Sequence, residues 1–205
     1  MDNLATLLDD KVEVLTLQKT GDEYRWERER LAWASVSTDS RSNVFSSVGT
    51  AAMGVTVTMR NDGRFDLSKA MRWAGKFLFP TATEVGEARD RVAVKAAVCD
   101  FVSPCTDTGY TTVLGEGNRP QKVEKTPLTF PGIVTGKWSG YERNDTHAAE
   151  DNVLVLVTPK EIMLEVGDLV TIQEAILKAV YNVQKRHLLS GVNKNEYELA
   201  YSRDV

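Results

Sequence analysis

Five consecutive apolar residues, Val153-Leu154-Val155-Leu156-Val157, most constrain what this chain can fold into. The run is mostly β-branched, with Asp151-Asn152 before it and Pro159 after it. It is too short for a buried helix and suits a strand covered on both faces. Proline ends such a strand because it has no N–H to give to the ladder. An earlier stretch, Ala51 to Arg60, is also β-rich and also leads into a turn. The two stand about 100 residues apart, half the chain, which points to an internal duplication. With an offset of 102, Asp66-Leu67 falls on Asp168-Leu169, Ala70 on Ile172, Ala74 on Ile176, and Leu78-Phe79 on Val180-Tyr181. Thr58 meets Thr158 at an offset of 100. The order of elements supports the duplication better than the letters do.

The rest of the chain also speaks for strands. Lys11 to Gln18 alternates and reads as a strand. Lys19 to Asp22 is a turn. Tyr24 to Arg30 interleaves arginine with aromatic and acidic residues, the pattern of a salt-bridged strand surface. Leu31 to Ser37 sets Leu31, Trp33 and Ser35 on one side and Ala32, Ala34 and Val36 on the other. Phe65 to Pro80 fits a helical stripe, and equally two strands joined at Ala74-Gly75-Lys76. Gly75 favours the hairpin, because glycine weakens a helix interior by roughly 1 kcal/mol. Leu169 to Tyr181 raises the same choice. Arg91 to Val98, Ile133 to Tyr141, Glu161 to Val166, Val180 to His187 and Asn195 to Tyr201 are further predicted strands. The expected fold is mainly β, two small barrels or sandwiches with little helix. The expected divisions are 1–102, a linker at 103–130 with a hairpin at Tyr110 to Leu114, and a second unit at 131–205.

Composition narrows the function classes. The 205 residues carry 25 basic and 29 acidic side chains, a net charge of -4, which gives no reason to expect broad nucleic-acid binding. No apolar run of about 18 residues occurs, so no membrane helix is predicted. The first residues are acidic, with too short an apolar part for a signal peptide, and read as a short helix or an arm. Cys99 and Cys105 lack a zinc spacing and a second pair, and read as two reduced thiols.

The residues that carry chemistry are scattered. His147 and His187 are the only histidines and read as solvated loop residues. Gly115-Glu116-Gly117-Asn118 lacks the lysine and the helix of a phosphate loop. Glu142, Asp145, Glu150 and Asp151 cluster in one polar stretch. With Trp138 and Tyr141 nearby they define an alternative: a carbohydrate-binding or hydrolytic β domain, as on a phage fibre. Trp26, Trp33, Trp73 and Trp138 read as core or interface aromatics. No cofactor and no metal is expected.

Lys11 to Gln18, Trp33-Ala34-Ser35-Val36, the polar stretch Thr38 to Thr50, Val55 to Arg60, Trp73-Ala74-Gly75-Lys76-Phe77 and Arg91 to Val98 follow one another in a pattern. It resembles the bacteriophage head–tail joining proteins: adaptors, stoppers and head-closure proteins. The second half is similar at Gly167-Asp168-Leu169-Val170, Tyr181-Asn182-Val183 and Asn195 to Leu199. It lacks the Trp-Ala-x-Val strand and has Leu177-Lys178-Ala179 where the family has glycine. Family members are commonly near half this length, so a tandem two-barrel member is implied. The resemblance implies a compact β-barrel with no catalytic residues, acting as a structural virion protein. It would form a homo-oligomeric ring at the head–tail interface, contacting portal or adaptor protein, tail proteins and, transiently, DNA in the channel. No membrane partner is implied. Rings need a head-to-tail interface and exposed loops. The candidates for those contacts are Arg41, Asn43 and Phe45 in the first polar loop and Arg143, Asn144 and His147 in the second.

Overall fold

The structure of the protein is a computed structural model that describes residues 8–39, 53–99, 101–136, 154–174, 177–187 and 193–205. The chain divides into two compact units. One comprises residues 1–18, 26–102 and 191–193, the other 19–25, 103–190 and 194–205.

The first unit is built on β1 (Asp10–Thr20), β2 (Glu23–Asp39), β3 (Gly54–Arg60), β4 (Ala70–Trp73), β5 (Lys76–Val85) and β6 (Arg91–Cys99). The strands pair in the order β1-β4-β5-β6-β3-β2, and the β1–β2 hairpin closes the ring. Closure removes the open edges that a flat sheet would present. The inside is filled by small and β-branched side chains, among them Val12, Ala34, Val57, Val94 and Ala96, with Met59, Met71 and Leu78. Fully burying one valine, leucine or methionine contributes about 1.5–3 kcal/mol. On β2, Ala34 is buried with Ala32 and Val36 packed beside it, while Leu31 and Trp33 face outward, as their alternation predicts. Asp10 ties the first strand down: its carboxylate accepts from Trp73 Nε1 at 3.0 Å and from the Val36 N–H at 3.2 Å.

The hairpin reading of Phe65 to Pro80 holds. Trp73 pairs with Lys76 across the two-residue turn Ala74-Gly75. Both turn residues have positive φ, 48° at Ala74 and 78° at Gly75, the backbone of the tight turns that match strand twist. Pro80 sits beside the bulge between Pro80 and Ala82, a tolerated place for a residue without an N–H. The interleaved charges of Tyr24 to Arg30 do form ion pairs: Arg28 to Glu13 at 3.6 Å, Lys69 to Glu29 at 2.6 Å and Arg30 to Asp62 at 3.1 Å.

The second unit is built on β7 (Ser103–Asp107), β10 (Leu128–Gly136), β11 (Leu154–Pro159), β12 (Leu169–Glu174), β13 (Leu177–His187) and β14 (Lys194–Asp204). Their order is β7-β12-β13-β14-β11-β10, closed by β10 on β7. Numbered within each unit, both barrels therefore run one, four, five, six, three, two. That shared strand order parallels the half-chain spacing of similar runs. The fourth-to-fifth hairpins, Trp73 to Lys76 and Glu174 to Leu177, coincide one residue short of the offset read from the letters. The second core is bulkier, with Phe130, Leu156, Ile172 and Tyr197. Gly132 makes room for it. A Cβ there would stand 2.6 Å from Leu156 Cδ1 and 2.7 Å from Cys105 Sγ. Cys99 and Cys105 are both buried thiols, one in each unit.

Three expectations are corrected. Residues 103–130 are not a linker. Ser103, Cys105 and Asp107 are buried on β7, which pairs with β10 from Leu128 to Gly132, and the second unit starts at Ser103. Small and polar residues hid this strand, and Pro104 faces Pro131, a pair in which neither has an N–H to give. The second unit also includes the hairpin tip Lys19–Arg25, where Glu23 pairs with Thr129. Finally, Glu161 to Val166 is not a strand. Ile162 and Leu164 are buried, but side chains take their backbone groups. Tyr197 Oη donates to the Ile162 carbonyl at 2.9 Å and accepts from the Leu164 N–H at 3.1 Å. Asn195 Nδ2 donates to the carbonyls of Lys160 at 3.1 Å and Ile162 at 2.9 Å. Alternating burial here comes from a loop folded onto β14, not from a ladder.

Candidate functional site

Arg41, Asn43, Phe45, Arg143, Asn144 and His147 lie outside the described residues, as do Trp138, Tyr141 and the carboxylates Glu142, Asp145, Glu150 and Asp151. The N-terminal segment read as a short helix or arm lies largely outside them too. His187 is described and differs from the solvated residue expected. It closes β13 opposite Glu196, half-buried, with Nε2 2.9 Å from Glu198 Oε1. Strand pairing brings it there, and pairing across strands is not visible in a local window. Trp26 packs on Phe77 at 5.8 Å between ring centroids, and Trp33 is 55% exposed with the Lys11 ammonium 5.1 Å from its ring. Among the described residues no group of three or more His, Cys, Asp or Glu is arranged to hold a metal ion. No described helix is long and apolar enough to cross a membrane.

The most distinctive surface is the hairpin of β8 (Tyr110–Leu114) and β9 (Pro120–Glu124), inserted between β7 and β10. It occupies the position that the short turn Gly21-Asp22 holds between the first two strands of the other barrel. Tyr110 pairs with Glu124, Thr112 with Lys122 and Leu114 with Pro120, so these six share one face. Every residue of both strands is exposed, Leu114 by 72% and Tyr110 by 54%. The bend at Gly115–Arg119 is drawn tight by the Gly115 N–H on the Arg119 carbonyl at 2.9 Å, with Gly117 at φ 77° and Asn118 at φ 57°.

A charged cluster holds the root of this hairpin. Asp107 ends β7, Asp168 precedes β12, and Lys125 follows β9. Lys125 Nζ lies 2.6 Å from Asp168 Oδ1 and 3.9 Å from Asp107 Oδ2. Asp107 Oδ1 accepts from the Gly109 N–H at 3.0 Å, and Asp168 Oδ2 from the Glu165 N–H at 2.7 Å. Backbone bonds complete the root: the Thr108 N–H on the Leu169 carbonyl and the Lys125 N–H on the Gly109 carbonyl, both 2.9 Å. Gly109 is required by closeness, since a Cβ there would stand 2.7 Å from Asp168 Oδ1. Outside the root, Arg186 reaches Glu165 at 2.6 Å.

Two buried carboxylates thus share one lysine. Burial, and then the charge of Asp168, push the Asp107 pKa above its ordinary value, against the Gly109 N–H and Lys125. Burial works against the Lys125 charge, but its bond to Asp168 and the fields of Asp107, Asp168 and Glu165 outweigh it and raise its pKa. The hydrogen bonds of this cluster tie the hairpin root to its barrel and close the turn from Glu165 to Asp168. Its chemistry is that of a clamp. The hairpin is legible in the sequence but the clamp is not, because Asp107, Lys125 and Asp168 are far apart in the chain.

The chain matches no protein-family model, and no curated protein is significantly similar to it.

Proposed function

We propose that this chain is a structural subunit of a tailed-phage neck, forming a ring that joins the portal or head to the tail and helps close the DNA channel. One observation carries the reading. The described residues that resemble the head–tail joining proteins fall in order on one closed barrel. Trp33-Ala34-Ser35-Val36 lies on β2, Val55 to Arg60 on β3, Trp73 to Phe77 on the β4–β5 turn and Arg91 to Val98 on β6. The second barrel repeats that strand order, which accounts for a length about twice that of the single-barrel proteins it resembles. The described polar clusters support a scaffold role: they hold loops and the hairpin rather than converging on a reactive centre. A mildly acidic subunit, net charge -4, also suits a passage that must let DNA through without gripping it.

The test is native mass measurement and negative-stain imaging of the purified chain, with labelling of the subunit in intact particles. Closed rings, and label at the head–tail junction, are expected. A compact monomer at every concentration, or binding to a glycan array, overturns the reading in favour of a carbohydrate-directed domain.

A further inference from the structure

We infer that the outer edge of β8 docks onto the β8 edge of a second copy of this chain, joining two hairpins into one four-stranded sheet. Among the described residues β8 and β9 are the only strands outside a closed ring. Their two outer edges differ in kind. β9, Pro120-Gln121-Lys122-Val123-Glu124, begins with a proline and carries two charges, the devices by which proteins keep a strand edge from pairing. β8, Tyr110-Thr111-Thr112-Val113-Leu114, has neither. Three of its five residues are β-branched, and all five are exposed. An uncharged, β-prone edge of this kind pairs with another strand unless something covers it.

A second copy is the occupant that the residues fit. The barrels are closed, so each of their strands has neighbours on both sides and offers β8 of another copy no comparable edge. The neighbouring copy's β9 is guarded as above. Antiparallel pairing of β8 with itself about Thr112 sets Tyr110 against Leu114, Thr111 against Val113 and Thr112 against Thr112. Aromatic–aliphatic and threonine pairs of this kind stabilise a sheet, and no like charges meet. The contact is isologous, repeated about a two-fold axis. It also turns a two-stranded hairpin, marginal by itself, into a four-stranded sheet. The clamp of Asp107, Lys125 and Asp168 holds the arm in place beforehand, which lowers the ordering cost of docking.

The test exchanges charge at the two-fold. Thr112 is exposed, so Thr112→Lys and Thr112→Glu leave the barrels intact, checked by unchanged thermal unfolding. In sedimentation, Thr112→Lys alone should dissociate at a concentration at least about tenfold higher than the unaltered chain, because like charges then face each other beside Lys122, and Thr112→Glu should weaken association less, because Lys122 of the same hairpin lies opposite each glutamate. An equimolar mixture of the two should recover dimers containing one copy of each. An unaltered chain that is monomeric throughout, variants that associate as it does, or a mixture that recovers nothing would each overturn the inference. The outcome is separable from the neck reading. Rings indifferent to the exchange remove this contact and leave that reading. Dimers that obey the exchange yet never build rings support this contact and remove that reading.

Discussion

Asp107 and Asp168 share one lysine, and Asp168 stands closer to it. Asp168 is the closer partner of Lys125 and also accepts the Glu165 N–H, so Asp168→Asn removes an ion pair and disturbs a backbone contact. A loss of about 1–3 kcal/mol in urea unfolding is expected, the usual result of leaving a buried polar group without its partner. Burial, and then the charge of Asp168, disfavour the charged form of Asp107. Its folded pKa is raised, so its contribution is fully present below the ordinary carboxylate value, near pH 4, and is lost as pH rises through the raised value. Asp107→Asn keeps an oxygen for the Gly109 N–H and removes the charge. It should leave stability at neutral pH unchanged or higher, and flatten the fall in unfolding midpoint as pH rises above the ordinary carboxylate value. An unchanged pH profile in that variant would mean that the clamp does not strain Asp107.

At the scale of elements, the β4–β5 turn and the loop after β11 show where local chemistry and tertiary contact each decide. The turn is local. Ala74 sits at φ 48°, a left-handed backbone that costs a residue with a Cβ about 1–2 kcal/mol. Ala74→Gly should therefore raise the thermal midpoint, while Gly75→Ala, at φ 78°, should lower it by a similar free energy. Shifts of the same sign in the two variants would refute the turn geometry. The loop is tertiary. Residues 161–166 have the alternation of a strand, yet their backbone is held by Tyr197 and Asn195 from β14. Tyr197→Phe takes away the partner of the Leu164 N–H and should destabilise by about 1–3 kcal/mol. Hydrogen exchange should quicken at Leu164 more than in β11 or β14, and uniform quickening would mean that the whole barrel opens instead.

For the whole molecule, the two barrels carry complete strand sets on separate halves of the chain: β1 to β6 before Val102, and the second ring after it. Residues 1–102 and 103–205, expressed separately, should each unfold cooperatively. The second should be the less stable half, because it loses the Glu23–Thr129 pairing contributed by the tip of the first hairpin. A fragment starting at Lys125 lacks β7 and leaves β10 and β12 with an open edge each, so it should aggregate or stay unfolded. Cooperative folding of that shorter fragment in calorimetry would show that β7 is dispensable and that the barrel need not close.

Much of this was legible in one dimension because it depends on neighbours in sequence. Val153 to Val157 with Pro159, the alternation of Leu31 to Val36 and the glycine of Trp73 to Phe77 specify strands and turns from their own residues. The half-chain spacing of similar runs parallels the strand order that the two barrels share. Tertiary structure alone decided the rest. β7 is a barrel strand because Ser103, Cys105 and Asp107 face a core that β10 and β12 supply, not because its residues are apolar. Residues 161–166 are a loop because side chains of β14 satisfy the backbone that a neighbouring strand would otherwise have paired. Asp107, Lys125 and Asp168 form one clamp only once ring closure brings the ends of β7, β9 and β12 together. A pattern along the chain records which face of an element is apolar; it carries no record of what comes to lie opposite.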